Sequence, residues 1–238
     1  EVPTGADGRA SIMAFGATKG SANNDAAILA AINSGLPLKV PAGMFRITDR
    51  LSLSDGCDIL GVPGAGIQQT GPDKAHFLAN SLDYFSIRGV KLLGTITSTG
   101  ATDTDQRGAI VVQNCLDFDI EFNEFEQCVG SGVTISRQGL YVSGGRVRFN
   151  RFTKGDMNSA DNPWGTQDNA PVQIYQYARN ITIEGNEASG KWYCAVLVQD
   201  QVNDGASRIH GLRIINNKFK DLSQYGFVFY TMNTLVPT

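Results

Sequence analysis

Apolar and polar residues alternate with a period of two along most of the chain, in short runs that glycine, asparagine or a polar pair brings to a stop. That period marks half-buried β-strands. One phrase recurs: Leu116-Asp-Phe-Asp-Ile-Glu-Phe-Asn123-Glu-Phe, Arg146-Val-Arg-Phe-Asn150-Arg-Phe, Tyr177-Ala-Arg-Asn-Ile-Thr-Ile-Glu-Gly-Asn186 and Gly211-Leu-Arg-Ile-Ile-Asn-Asn217-Lys-Phe. With the asparagines superposed, Ile120, Val147, Ile183 and Ile214 share one column, and Phe125, Phe152, Ala188 and Phe219 share another. The asparagines lie 27, 36 and 31 residues apart. Such spacing, with one fixed polar residue per repeat, predicts a solenoid with inserted loops. The asparagines are expected at its turns, where Asn tolerates the left-handed conformation and its amide can bond the neighbouring coil.

A second strand follows each asparagine. Ile110–Asn114, Val133–Arg137, Val172–Gln176, Val196–Asp200 and Phe227–Thr231 stack with their first and third residues facing inward. Their partners form an outward column of Gln113, Ser136, Tyr175, Gln199 and Tyr230, with rungs about 4.8 Å apart in a parallel sheet. The fold class is therefore all-β: a parallel β-helix. Outward Val111, Leu197 and Val228 form an apolar row that predicts packing against other subunits, as in a homotrimer. Two charged columns, Asp119-Arg146-Thr182-Arg213 and Glu121-Arg148-Glu184-Ile215, read as cross-strand ion pairs rather than catalytic groups.

Residues 1–50 form a lead-in, a capping helix and a first strand, and residues 51–238 form the coils. Ile12–Phe15 is the first candidate strand. The helix begins at Asn23 or Asn24, is capped by Asn24 or Asp25, turns Ile28, Leu29 and Ile32 to one face and stops at Gly35. It is placed to cover the open first coil. The chain stops directly after a strand, so further coils are expected beyond Thr238.

Four stretches carry a family resemblance: Phe15-Gly-Ala, Asn24-Asp-Ala-Ala-Ile-Leu-Ala-Ala-Ile32, Val40-Pro-Ala-Gly-Met-Phe-Arg-Ile47 and Leu60-Gly-Val-Pro-Gly-Ala-Gly66. They resemble the opening of pectin-lyase-like right-handed parallel β-helix proteins, a group that includes bacteriophage tailspike depolymerases and secreted polysaccharide lyases, hydrolases and epimerases. The resemblance implies a right-handed coil and a short N-terminal capping α-helix. It also implies a protein of the virion tail, or a secreted one, that acts on a bacterial surface polysaccharide such as capsule or O-antigen.

A net charge of −3, with 18% charged residues, gives no reason to expect nucleic acid or an anionic membrane as partner. No apolar run approaches the ~20 residues that span a bilayer. Cys57, Cys115, Cys128 and Cys194 lack CxxC spacing, so no zinc, other metal or cofactor is expected, and four free thiols are.

Candidate chemistry gathers in two polar insertions. Residues 153–170 lengthen one coil and carry Asp156, Asp161, Trp164 and Asp168, and residues 199–207 bring Asp200 and Asp204 on the next coil. Long loops on a regular scaffold are where solenoids place function. A tryptophan rimmed by polar groups suits the face of a sugar. If both insertions leave at one corner, they make a groove with an aromatic floor and acidic walls. Two chemistries compete. Hydrolysis needs two carboxylates about 5–5.5 Å apart for retention or about 6.5–9.5 Å for inversion; a lyase needs a base beside a uronate. His76 and His210 lie outside both insertions, which favours hydrolysis with Asp156, Asp161, Asp168 and Asp200 as candidates. Trp164, Tyr175 and Gln199 would bind the glycan, and Arg137 an acidic sugar. The alternatives are a non-catalytic glycan-binding adhesin, a structural β-helix segment and a secreted lyase or epimerase.

Overall fold

The structure, a computed structural model, describes residues 2–71, 74–94, 108–128, 130–136, 141–156, 170–200, 209–222 and 225–231. Each coil gives one strand to each of three sheets. One coil runs Asp117–Glu121, Glu124–Glu126 and Ser131–Ile135; the next runs Gly145–Arg148, Arg151–Asp156 and Val172–Ile174. Then come Thr182–Glu184, Glu187–Lys191 and Cys194–Asp200, and finally Arg213–Ile215, Lys218–Lys220 and Tyr225–Thr231. Among the described residues the first sheet has eight strands, the second and third have seven each, and Val142–Ser143 pairs with Ala178–Arg179 in a small fourth sheet. Neighbouring coils pair in parallel in all three.

The register is the one the repeats predict. Ile120 pairs with Val147, Val147 with Ile183 and Ile183 with Ile214, and the column runs back through Ile87 to Ile59. In the second sheet Phe125, Phe152, Ala188 and Phe219 follow one another. The Phe125 and Phe152 rings stack at 4.6 Å. Ala188 interrupts the stack, and fully buried Trp192 packs edge-on against Phe152 at 6.5 Å. The core is thus a set of apolar columns inside the coil. At the last described coil the inward Phe227 and Phe229 are exposed, with no further described coil above them.

The four asparagines stack in one line at the corner between the first and second sheets. Each side chain reaches back one coil. Asn150 Oδ1 accepts from the Asn123 backbone N–H at 2.9 Å while its Nδ2 donates to the Ile120 carbonyl at 2.8 Å. Asn186 does the same for Asn150 and Val147, and Asn217 for Asn186 and Ile183. The left-handed residue is not the asparagine but the one before it: Phe122 (φ 55°), Phe149 (φ 54°), Gly185 (φ 62°) and Asn216 (φ 54°). The sharp bend must precede the asparagine so that its amide can lie along the solenoid axis. For a phenylalanine that conformation costs roughly 1–2 kcal/mol.

The N-terminal region departs from expectation in detail. Ile12–Phe15 is a 3-10 turn rather than a strand, because the Ser11 hydroxyl accepts from Met13 N and Gly16 closes it at φ 97°. The helix spans Asp25–Asn33, and neither proposed cap bonds its first turn. Asn24 Oδ1 accepts from Thr18 N, and the Asp25 carboxylate accepts from Thr48 N and Oγ1. Both side chains tie the helix to the first coil instead. Ile28, Ala31 and Ile32 are buried while Leu29 is exposed, and the Ser54 hydroxyl donates to the Ile32 carbonyl at 2.9 Å. All four cysteines are buried and unpaired, and burial pushes the thiols of Cys57, Cys128 and Cys194 up to about 12.

Replacing Asn150 by alanine orphans the buried Asn123 N–H and Ile120 C=O together. At about 1–3 kcal/mol per unsatisfied group, the expected loss is roughly 2–5 kcal/mol in urea unfolding. Asn80→Ala, at an exposed site, should stay within about 0.5 kcal/mol of the parent.

Candidate functional site

The third sheet carries the most unusual surface. Its outward positions face away from the coil interior, yet they are buried. One row is Val111, Thr134, Gln173 and Leu197, in register from coil to coil. All four are at most 1% exposed or fully buried. The row two residues further on holds Gln113, Ser136, Tyr175 and Gln199, and Tyr175 and Gln199 are each 7% exposed. The outward column expected from the sequence is therefore present, but it is enclosed.

Buried polar side chains are tolerated when they satisfy one another. Here the Ser131 hydroxyl donates to Gln173 Oε1 at 2.8 Å. Gln173 Nε2 donates to the Tyr175 hydroxyl at 2.6 Å and, more weakly, to Gln199 Oε1 at 3.4 Å. Gln113 Nε2 is buried with no partner among the described residues. Beside this polar layer Ala170, Cys194 and Leu197 make a small apolar cluster, with Tyr193 and Val228 against it. Val111 and Leu197 are thus already covered within one chain and cannot be the apolar surface that a trimer would bury. The burial reflects enclosure of this sheet's outer face, which alternation alone does not reveal.

The two insertions attach to this sheet at its opposite ends. Asp156 closes a second-sheet strand, opposite Lys191 of the next coil, and the chain re-enters description at Ala170, just before Val172–Ile174. Asp200 instead closes the third-sheet strand Cys194–Asp200. That strand separates Lys191 from Asp200, about 20 Å at ~3.3 Å per residue. The expected shared corner is therefore absent: one insertion lies between the second and third sheets, the other between the third and the first. Asp156 and Asp200 are too far apart to flank one glycosidic bond together. Either would need a carboxylate from nearer its own end. Asp161, Trp164, Asp168, Arg137 and Asp204 lie outside the described residues.

Sequence reasoning missed Gln173, Ser131 and Thr134. The signal was present in the middle residue of each strand triplet, such as Gln173 in Val172-Gln-Ile174, which the period of two also turns outward. The charged columns of the first sheet are ion pairs. Arg146 grips Asp119 through Nε at 2.6 Å and Nη2 at 2.9 Å, and Arg148 pairs with Glu121. Asp58 is held below the usual carboxylate range: burial raises it, but hydrogen bonds from Arg9, Arg88 and Ser86 outweigh that. Lys154 and Lys91 likewise hold Glu126 down. Carboxylates fixed in the charged form are poor general acids. Among the described residues no group of three or more His, Cys, Asp or Glu is arranged to hold a metal, and no helix is long and apolar enough to cross a membrane.

The family model for the right-handed β-helix region matches residues 77–236, two thirds of the chain. The chain belongs to that family. Its fold is similar to that of the Dettilon tailspike protein, with 19% identity over 96% of this chain and 48% of that one and a TM-score of 0.64. Gene product 12 of bacteriophage phi29 is similar too, at 14% identity over 92% of this chain and 34% of that one, with a TM-score of 0.60. A provisionally assigned glycosyl hydrolase from Parabacteroides merdae shares 13% identity over 88% of this chain and 95% of that one, with a TM-score of 0.57. The chain spans less than half the length of the two phage structures. At these identities the likeness establishes the fold alone. No curated protein matches the sequence.

His76, at the corner leading into the third-sheet strand Phe77–Asn80, is fully buried, and its Nε2 lies 3.0 Å from the Leu93 carbonyl. Burial pushes its pKa down to about 4 from 6.5, which removes it as an effective base near neutrality. The unfolded chain then binds the extra proton between these values, so stability falls as pH drops from about 6.5 towards 4. The contribution at stake is about 3 kcal/mol. Urea unfolding at pH 7 and pH 4.5 should show a smaller pH-dependent loss in His76→Gln than in the parent.

Proposed function

We propose that this chain is the β-helical part of a tailspike-like depolymerase that binds and cleaves a bacterial surface polysaccharide. One observation carries the reading. The third sheet holds an ordered polar layer on its outer side, with Gln113, Tyr175 and Gln199 keeping 6–7% exposure beside fully buried Gln173, and polar insertions attach at both ends of its strands. The fold likeness to phage tailspikes supports it. A long polymer is suited by a site running across stacked strands, because each rung repeats the hydrogen-bonding pattern of the last. In this reading Trp164 is a sugar platform, Tyr175 and Gln199 set the floor, and Arg137 meets acidic substituents. Asp156, Asp161 and Asp168 supply carboxylates at one end and Asp200 at the other. The protein acts extracellularly on the virion, and assembles as a homotrimer through surfaces other than Val111 and Leu197.

In hydrolysis one carboxyl protonates the glycosidic oxygen while a second, ionised carboxylate activates water or attacks the anomeric carbon. A carboxyl buried beside another carboxylate has its pKa raised, as the acid role requires. The second reading is an adhesin that holds glycan on the same face without cutting it. It draws on the mutual satisfaction of Gln173, Tyr175 and Gln199, a rigid polar floor that needs no reactive group.

The test measures reducing-end release and glycan affinity on the same variants, with capsular polysaccharide and O-antigen as substrates. Asp200→Asn should lower turnover by about 10²–10⁴-fold, the usual worth of a general acid or base, with affinity nearly unchanged. Trp164→Ala should weaken binding about tenfold and leave saturated turnover close to the parent. Unchanged turnover in Asp156, Asp161, Asp168 and Asp200 variants alike would place the chemistry outside these residues. Binding without new chain ends would favour the adhesin, and unsaturated ends a lyase.

A further inference from the structure

The left-handed corner between the first and second sheets is a position that suits glycine or asparagine, and Gly89, Gly185 and Asn216 fill it so. Two adjacent coils place phenylalanine there instead. Phe122 and Phe149 sit at φ 55° and 54°, with 62% and 44% of their surfaces exposed. Their rings stack at 5.2 Å with an interplanar angle of 16°. Such backbone strain recurs at other corners, where Gln127, Lys154 and Tyr177 are also left-handed, and what sets this corner apart is its exposed pair of stacked rings. The strain serves no burial, since both rings remain in solvent.

The stack borders an open hollow. Phe149 lies over Gly185, where an added Cβ would come within 2.5 Å of its ring. Phe122 packs on Phe149 and, on its other side, lines a hollow of about 220 Å³ with Met44, Gly64, Gly89, Lys91 and Glu124. The glycine corner of the preceding coil leaves that space empty of side chains. Polar groups stand at its rim. Glu124 Oε1 lies 3.6 Å from Lys91 Nζ and 3.8 Å from Arg151 Nη1. These are charge contacts too long for hydrogen bonds, so the carboxylate keeps acceptor sites open.

We propose that this corner is a second carbohydrate site, separate from the third-sheet face, that holds one pyranose ring. The apolar C–H face of the sugar stacks on Phe122, and two neighbouring hydroxyls donate to the Glu124 carboxylate. The size of the patch selects the occupant. The exposed ring surface amounts to about 200 Å², far below the ~800 Å² per partner of a stable protein interface. The site stands on the opposite side of the second sheet from the third, so it does not depend on the cleavage reading. It would add a weak foothold on the polymer, raising avidity through effective concentration.

Saturation-transfer NMR on the full chain with methyl β-D-galactopyranoside and methyl β-D-glucopyranoside tests it. At least one should bind with a Kd in the millimolar range. Phe122→Gly, which suits the left-handed corner, should fold with its melting temperature within a few degrees of the parent and lose the signal. Glu124→Gln should weaken binding severalfold. Binding that survives in Phe122→Gly, or no binding of either glycoside by the parent, overturns the proposal. So does sedimentation showing that Phe122→Gly dissociates an oligomer while the parent gives no sugar signal, since the stack would then be a subunit contact.

Discussion

Every column in this molecule depends on the hydrogen bonds that run from one asparagine to the next. At the corner between the first and second sheets the ladder of strand hydrogen bonds would stop, leaving an N–H and a C=O on each coil without partners inside the protein. Asn123, Asn150, Asn186 and Asn217 satisfy both with one side chain apiece, each bonding back to the preceding coil. A shift of one residue would break these bonds and turn the apolar columns outward together. The ladder therefore fixes register, and register decides which side chains share a face.

Once register is set, the three sheets divide the chemistry between them. The first is covered with alternating charges that neutralise one another, as Arg146 does for Asp119. The second carries the interior aromatic stack and, outside it, the looser contacts of Lys91, Glu124 and Arg151. Among the described residues the third encloses the most extended polar layer on its outer face. An ion-paired surface is spent on itself and offers little to a ligand. The polar layer of the third sheet carries no such charge pairing, and Gln113 Nε2 in it has no partner among the described residues.

Much of the fold was legible in the sequence because a solenoid repeats its own evidence. The columns through Ile120 and Phe125, the stacked asparagines and the ion-paired strands could all be read from spacing and alternation. What escaped was whatever depends on corners. Asn24 and Asp25 look like helix caps but bond the first coil, because tertiary contacts outbid the helix end. The left-handed residue falls one place earlier than the asparagine suggests. Outward Val111 and Leu197 read as a subunit surface, since alternation says which way a side chain points and not whether something lies over it. The insertions at 153–170 and 199–207 occupy consecutive coils but different corners, a distinction invisible until strands are assigned to sheets. Phe122-Asn123 and Phe149-Asn150 were visible as dipeptides, and only the corner geometry makes their phenylalanines unusual.

The central claim is that glycan lies across the outer face of the third sheet, between the two insertions. A crystal structure of the full chain with a bound oligosaccharide from the cognate capsule or O-antigen tests this most directly. The account predicts sugar density running across the strands Val172–Ile174 and Cys194–Asp200, within hydrogen-bonding reach of the layer around Gln113, Tyr175 and Gln199. Density confined to the ion-paired face of the first sheet, with the third sheet unoccupied, would contradict it.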